Sequence, residues 1–197
     1  MKKELVVALR MTVATLVLTG LVYPLLVTGV AQALFPWRAN GSVVSALGRV
    51  VGSELIGQGF KSPAYFLSRP SAAGADGYDA ANSAGSNLGP TSQKLRDRVA
   101  ADVARLRAEN PQAPAEVPAE LVTTSASGFD PHLSPEAARW QLPRVAAARH
   151  AARGDVEAML DRRVEERTLG FLGEPRVNVL RLNLDLDERF GRLAAGQ

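Results

Sequence analysis

The 27 residues from Met11 to Trp37 contain no Asp, Glu, Lys, Arg or His and are rich in Leu, Val, Thr and Ala. About 20 apolar residues, rising ~1.5 Å each as a helix, cross the ~30 Å hydrocarbon layer of a bilayer. A buried helix of a soluble protein is rarely so long and so evenly uncharged, so Met11 to Trp37 is read as a transmembrane anchor. Lys2, Lys3 and Arg10 precede the run, and only Arg38 and Arg49 follow it closely. By the positive-inside bias, residues 1–10 are cytoplasmic and residues 38–197 form a domain outside the cell's inner (plasma) membrane. Phe35 and Trp37 end the run, where aromatic rings settle at the headgroups. Tyr23 and Pro24 sit mid-span; Pro24 donates no backbone hydrogen bond and crowds the turn before it, which predicts a kink. Ala31-Gln32-Ala33 has the form of a signal cleavage site, yet a secretion signal has an apolar core of only ~7–15 residues. The run is therefore read as a retained anchor, and under either reading residues 38–197 are exported.

Charge, divided by region, excludes one function class. The net charge is +3, but Lys2, Lys3, Arg10 and Glu4 account for +2, leaving 20 basic and 19 acidic residues in the remainder. That remainder has no basic stripe with interleaved aromatics, so it lacks the footprint of a nucleic-acid binder. The chain has no cysteine, which removes disulfides, thiolate metal sites and cysteine nucleophiles.

Beyond the anchor, Val50-Val51, Leu55 and Ile56 read as one or two short strands, and the Gly-, Ala-, Ser-, Asn- and Asp-rich stretch Ser71 to Pro90 reads as loop. Leu95, Val99, Val103 and Leu106 repeat on one face of a helix from about Ser92 to Asn110, with Thr91 or Ser92 as cap and Pro111 as stop. Leu121 to Thr124 reads as a short strand. Ser125 to Ser134 is a turn-rich loop, and Ser134 and Pro135 fit the cap and first turn of a helix that Pro143 is expected to kink or break. Asp155 is expected to cap a second helix running to about Arg167. From Arg176 to Asp187, Leu180, Leu182, Leu184 and Leu186 alternate with polar residues, which predicts a half-buried strand. The expected fold class is α+β: a single transmembrane helix and one small exported domain with helices packed on a small sheet.

Catalytic signals are sparse. There are two histidines, His132 and His150. Asp130-Pro131-His132 places a carboxylate and an imidazole in one loop, where Asp76 and Asp79 are possible further metal ligands, but no ligand spacing is defined and a turn explains the same residues. Gly-x-Ser-x-Gly and Walker motifs are absent, and Gly85 to Gly89 lacks the lysine of a phosphate cradle. No catalytic residue and no metal site is therefore expected. The alternative is a membrane-tethered exported enzyme or binding module using the Asp130–His132 loop.

Several stretches, taken in order, closely resemble the C subunit of the bacterial Kdp potassium-transporting P-type ATPase. They are Thr19 to Pro24, Gly52 to Gln58, Tyr65-Phe-Leu-Ser-Arg-Pro-Ser-Ala72, Ser83 to Pro90, Val117-Pro118 through Ser125 to Pro135, Gln141 to Arg149, and Gly173 to Asn178 with its Leu-Asn-Leu-Asp continuation. One departure is Ala84, where the family's loop usually has glycine. The resemblance implies a complex with three partners: a channel-like potassium-binding subunit, an ATP-hydrolysing subunit and a very small hydrophobic subunit. It implies a non-catalytic role in assembly, and action as a catalytic chaperone that raises the ATP affinity of the hydrolysing subunit. ATP binding by the chain itself has been suggested in that family. An exported domain cannot reach cytoplasmic ATP, so ATP is expected at the partner catalytic subunit, with any effect carried as a coupling between conformational states. Arg69, Ser86, Asn87, Ser127, Asp130, His132 and Gln141 are the candidate partner-facing residues; for Arg69, an ion pair within the domain is the equal alternative.

Overall fold

The computed structural model describes residues 1–191 and divides into two compact units, Met1–Val43 and Val44–Gln197. The first unit is helical: α1 (Lys2–Val17), a π-helical turn (Leu18–Val22), α2 (Tyr23–Leu34) and the short α3 (Pro36–Ala39). From Lys2 to Leu34 the helix is continuous, has a mean hydropathy of 2.1 over its most apolar stretch, and buries none of that stretch within the chain. Apolar side chains exposed at this density need lipid or other protein around them. Pro24 does not break the helix. The turn before it widens, the Tyr23 N–H reaching back to the Leu18 carbonyl, which makes room for a ring that would otherwise collide with the preceding turn.

β1 (Val43–Ala46), which begins at the last residue of the first unit, and β2 (Arg49–Ser53) form a two-stranded ribbon; Leu55 and Ile56 lie outside it. α4 (Gln93–Glu109) starts at Ser92, whose hydroxyl accepts the Leu95 N–H. α5 (Pro135–Ala148) starts at Ser134, whose hydroxyl accepts the Ala137 N–H at 3.1 Å. A three-stranded antiparallel sheet has the order β3-β5-β4: β3 (His132–Leu133) and β4 (Val164–Glu165) flank β5 (Arg176–Asn178). Val177 is central, paired with Leu133 on one side and Val164 on the other. α5, α6 (Arg153–Arg162) and α7 (Val179–Phe190) pack around a core that includes Phe66, Leu142, Val156, Leu160, Leu182 and Leu186, each fully buried. Burying each such side chain contributes ~1.5–3 kcal/mol. The architecture is α+β with one candidate membrane-crossing helix.

Four expectations are corrected. The strand expected over Arg176 to Asp187 ends at Asn178 and becomes α7, because the Asn178 side chain accepts the Arg181 N–H at 3.1 Å and starts a helix. Val179, Leu182, Asn183 and Leu186 then face the interior at helical spacing. Leu121 to Thr124 is no strand: Leu121 closes a 3₁₀ turn (Ala119–Leu121), and the Thr123 hydroxyl donates back to the Ala119 carbonyl. α6 starts two residues before Asp155 and ends at Arg162, with Val164 and Glu165 drawn into the sheet. Pro143 lies inside α5 without ending it.

Candidate functional site

The segment around Tyr65 to Pro70 has no regular strand partner, although Phe66 is fully buried. A buried peptide group without a partner costs ~1–3 kcal/mol, and here side-chain amides supply the missing ladder. Asn183 of α7 accepts the Phe66 N–H at 2.8 Å and donates to the Phe66 carbonyl at 2.9 Å. Gln141 of α5 does the same for Leu67, at 2.8 and 3.1 Å. Arg144, one helical turn on, donates to the Pro63 and Tyr65 carbonyls and to the Gln141 side-chain oxygen. Burial pushes its pKa down to about 10. Arg149 lies 4.7 Å from the centre of the Tyr65 ring, donates to the Ala64 carbonyl and pairs with Asp187 at 2.8 Å; Asp187 also accepts the Tyr65 hydroxyl. Two helices thus grip one extended segment through its backbone.

This grip fixes Arg69, which bridges to Asp130 at 3.1 Å and to the Thr124 carbonyl. The Tyr78 hydroxyl donates to the Arg69 carbonyl, and burial pushes the phenol up to about 12. Asp130 accepts the His132 backbone N–H at 3.0 Å, and the His132 imidazole lies 3.7 Å from the carboxylate. Burial pushes the Asp130 carboxyl up, but the hydrogen bonds from His132 and Arg69 outweigh it and hold the group below its usual value. Among the described residues no cluster of three or more His, Asp and Glu side chains is placed to hold a metal ion.

Three loops meet here. The Gly57 N–H donates to the Phe129 carbonyl at 2.7 Å; the Ser83 hydroxyl and the Ala84 N–H both donate to the Ser127 carbonyl. A Cβ at Gly57 would lie 2.6 Å from the Asp130 carbonyl oxygen, and one at Gly85 would lie 2.9 Å from that of Ala126. Glycine is therefore required at these close approaches. Ala84 is not among the positive-φ residues, so the alanine there keeps the loop. A shallow depression of about 530 Å³, lined by Leu55, Ile56, Arg69, Ser127, Phe129 and Asp130 among others, opens on this face.

Of the candidate residues, Arg69, Ser127 and Asp130 line this depression, with Arg69 engaged inside the domain, and His132 lies beside Asp130 at the start of β3. Ser86 is half-buried, and Asn87 is exposed at φ 50° on the adjoining loop. Gln141 is 1% exposed; its amide is consumed by Leu67, which removes it from any contact surface. The residues that position the site and were missed are Asn183, Arg144, Arg149 and Tyr78. Asn183 had a legible signal: it is a polar residue on the apolar stripe of α7.

Comparison with known proteins identifies the family. The model described as "KdpC: K+-transporting ATPase, c chain" matches residues 5–188. The Potassium-transporting ATPase KdpC subunit of Myxococcus xanthus is 68% identical over 187 residues, covering 94% of this chain and 88% of its own. That of Koribacter versatilis is 56% identical over 187 residues, covering 95% of each. That of Caulobacter vibrioides is 58% identical over 180 residues, covering 91% of this chain and 90% of its own. The chain belongs to the KdpC family, the c chain of the K+-transporting ATPase.

Proposed function

We propose that this chain is a non-catalytic subunit of an ATP-driven potassium uptake complex, anchored by one helix with its α+β domain on the outer side of the inner membrane. Its partners are a channel-like potassium-binding subunit, an ATP-hydrolysing subunit and a small hydrophobic subunit. The observation that carries this reading is the family match from residue 5 to residue 188, over a chain in which Lys2–Leu34 form one helix whose most apolar stretch buries nothing within the chain. In the Asp130–His132 loop, the Asp130 carboxylate accepts the His132 backbone N–H and pairs with Arg69, which supports a structural use.

On this reading ATP stays at the hydrolysing subunit. A domain outside the membrane raises ATP affinity there only by binding one conformational state of the complex more tightly than another, and linkage then requires ATP to strengthen this chain's own attachment by the same factor. In a reconstituted complex, omitting the chain is expected to abolish potassium-stimulated ATP hydrolysis. Unchanged hydrolysis and assembly without it would contradict the reading.

A further inference from the structure

The hairpin of β4 and β5 extends into an arm on which every residue from Glu165 to Glu174 is exposed. Its end is closed by a reciprocal pair of backbone bonds: Thr168 N–H to the Leu172 carbonyl, and Leu172 N–H to the Thr168 carbonyl, both at 2.9 Å. Leu169 and Gly170 turn the chain at φ 55° and 81°. A leucine held in the left-handed region costs more than a glycine there would, and the side chain it presents is 79% exposed. Phe171 is 69% exposed and Leu172 49%. Three large apolar side chains thus stand together on a shaped tip that buries none of them in the fold.

The flanks say what kind of surface receives this tip. Glu165 pairs with Arg176 at 3.0 Å, and Arg167 with Glu174 at 2.5 Å, one pair above the other along the arm. Exposed pairs of this kind add little stability, but they cancel four of the arm's charges. Glu166 is left without an ion-pair partner among the described residues, so the arm carries a net negative charge. An anionic lipid surface repels such an arm, and between Glu165 and Arg176 it has no unpaired Lys or Arg of the kind that interfacial segments use to hold headgroups. A protein socket suits it: apolar, to desolvate Phe171 between two leucines, and rimmed by a cation opposite Glu166.

We infer that the tip Leu169-Gly170-Phe171-Leu172 is the plug by which this chain docks into an apolar, cation-rimmed socket on another subunit of its ATPase. This rests on the subunit reading above. Phe171 is no part of the buried core, so Phe171→Asp leaves the fold intact and acts on docking alone.

The test uses the full chain co-expressed with its partner subunits, with the complex captured through a tag on the ATP-hydrolysing subunit. Phe171→Asp is expected to reduce the retained chain at least tenfold, while Ala108→Asp on the exposed face of α4 retains it fully. Full retention of Phe171→Asp would overturn the plug, whereas failure of the unmodified chain to co-purify would overturn the subunit reading instead. In a second arm, benzoyl-phenylalanine replaces Phe171 and the assembled complex is irradiated. A covalent adduct to a partner polypeptide is expected; an adduct to lipid alone, or none, would contradict the proposal even if Phe171→Asp failed to fold.

Discussion

At the scale of single residues, two amides and two guanidinium groups make an irregular segment as well paired as a strand. The buried N–H and carbonyl of Phe66 are both satisfied by Asn183. Asn183→Leu is therefore expected to cost about 2–4 kcal/mol, read from the thermal or denaturant midpoint, because it orphans two buried backbone groups at once. A loss below about 0.5 kcal/mol would show that the clamp is not needed. The pairing itself was not legible in the sequence: Asn183 and Phe66 are 117 positions apart, and no local pattern announces that a side chain will complete a distant backbone.

Asp130 carries a pH signature. Its folded-state pKa is depressed, so its contribution is present above the unfolded value of ~3.9 and is lost as pH falls through the folded value. Asp130→Asn should destabilise the chain by about 1 kcal/mol at neutral pH, since the pair with Arg69 is partly exposed, and the difference from the parent should vanish as the pH falls through the depressed folded-state value. A difference that stayed constant across that range would rule out the ion pair as its source.

At the scale of elements, the segments that follow local rules were readable from sequence and the one that satisfies two rules was not. α4 and α5 start at Ser92 and Ser134, where hydroxyl caps precede an apolar periodicity and, for α5, a first-turn proline. Leu180, Leu182, Leu184 and Leu186 fit a period of two, yet Val179, Leu182, Asn183, Leu186 and Phe190 fit a period near 3.6 equally well. The cap at Asn178 and packing of α7 against α6 and β5 decide for the helix. In that helix Leu182 is fully buried and Leu184 only half-buried. Leu182→Ala should cost about 2–4 kcal/mol, and Leu184→Ala less than about 1.5 kcal/mol. Equal losses would restore the strand. The short β3 and β4 were invisible locally because two residues fix no periodicity, and β5 was legible only as the start of a longer strand; the register with Val177 at the centre defines them.

At the scale of the whole molecule, a single apolar helix and a separate compact domain divide the labour. The helix buries nothing within the chain, so its stability comes from lipid and neighbouring subunits, while the domain carries its own core. If the domain stands outside, it acts on ATP only through the conformations of its partners. The natural absence of cysteine makes the orientation directly measurable. Ala108→Cys, on the exposed face of α4, and Lys3→Cys, before the membrane run, are each introduced into the otherwise cysteine-free chain. Intact cells are then treated with a membrane-impermeant maleimide. The account predicts that Ala108→Cys is labelled from outside and Lys3→Cys only after lysis. Labelling of Lys3→Cys on intact cells, with Ala108→Cys protected until lysis, would contradict it.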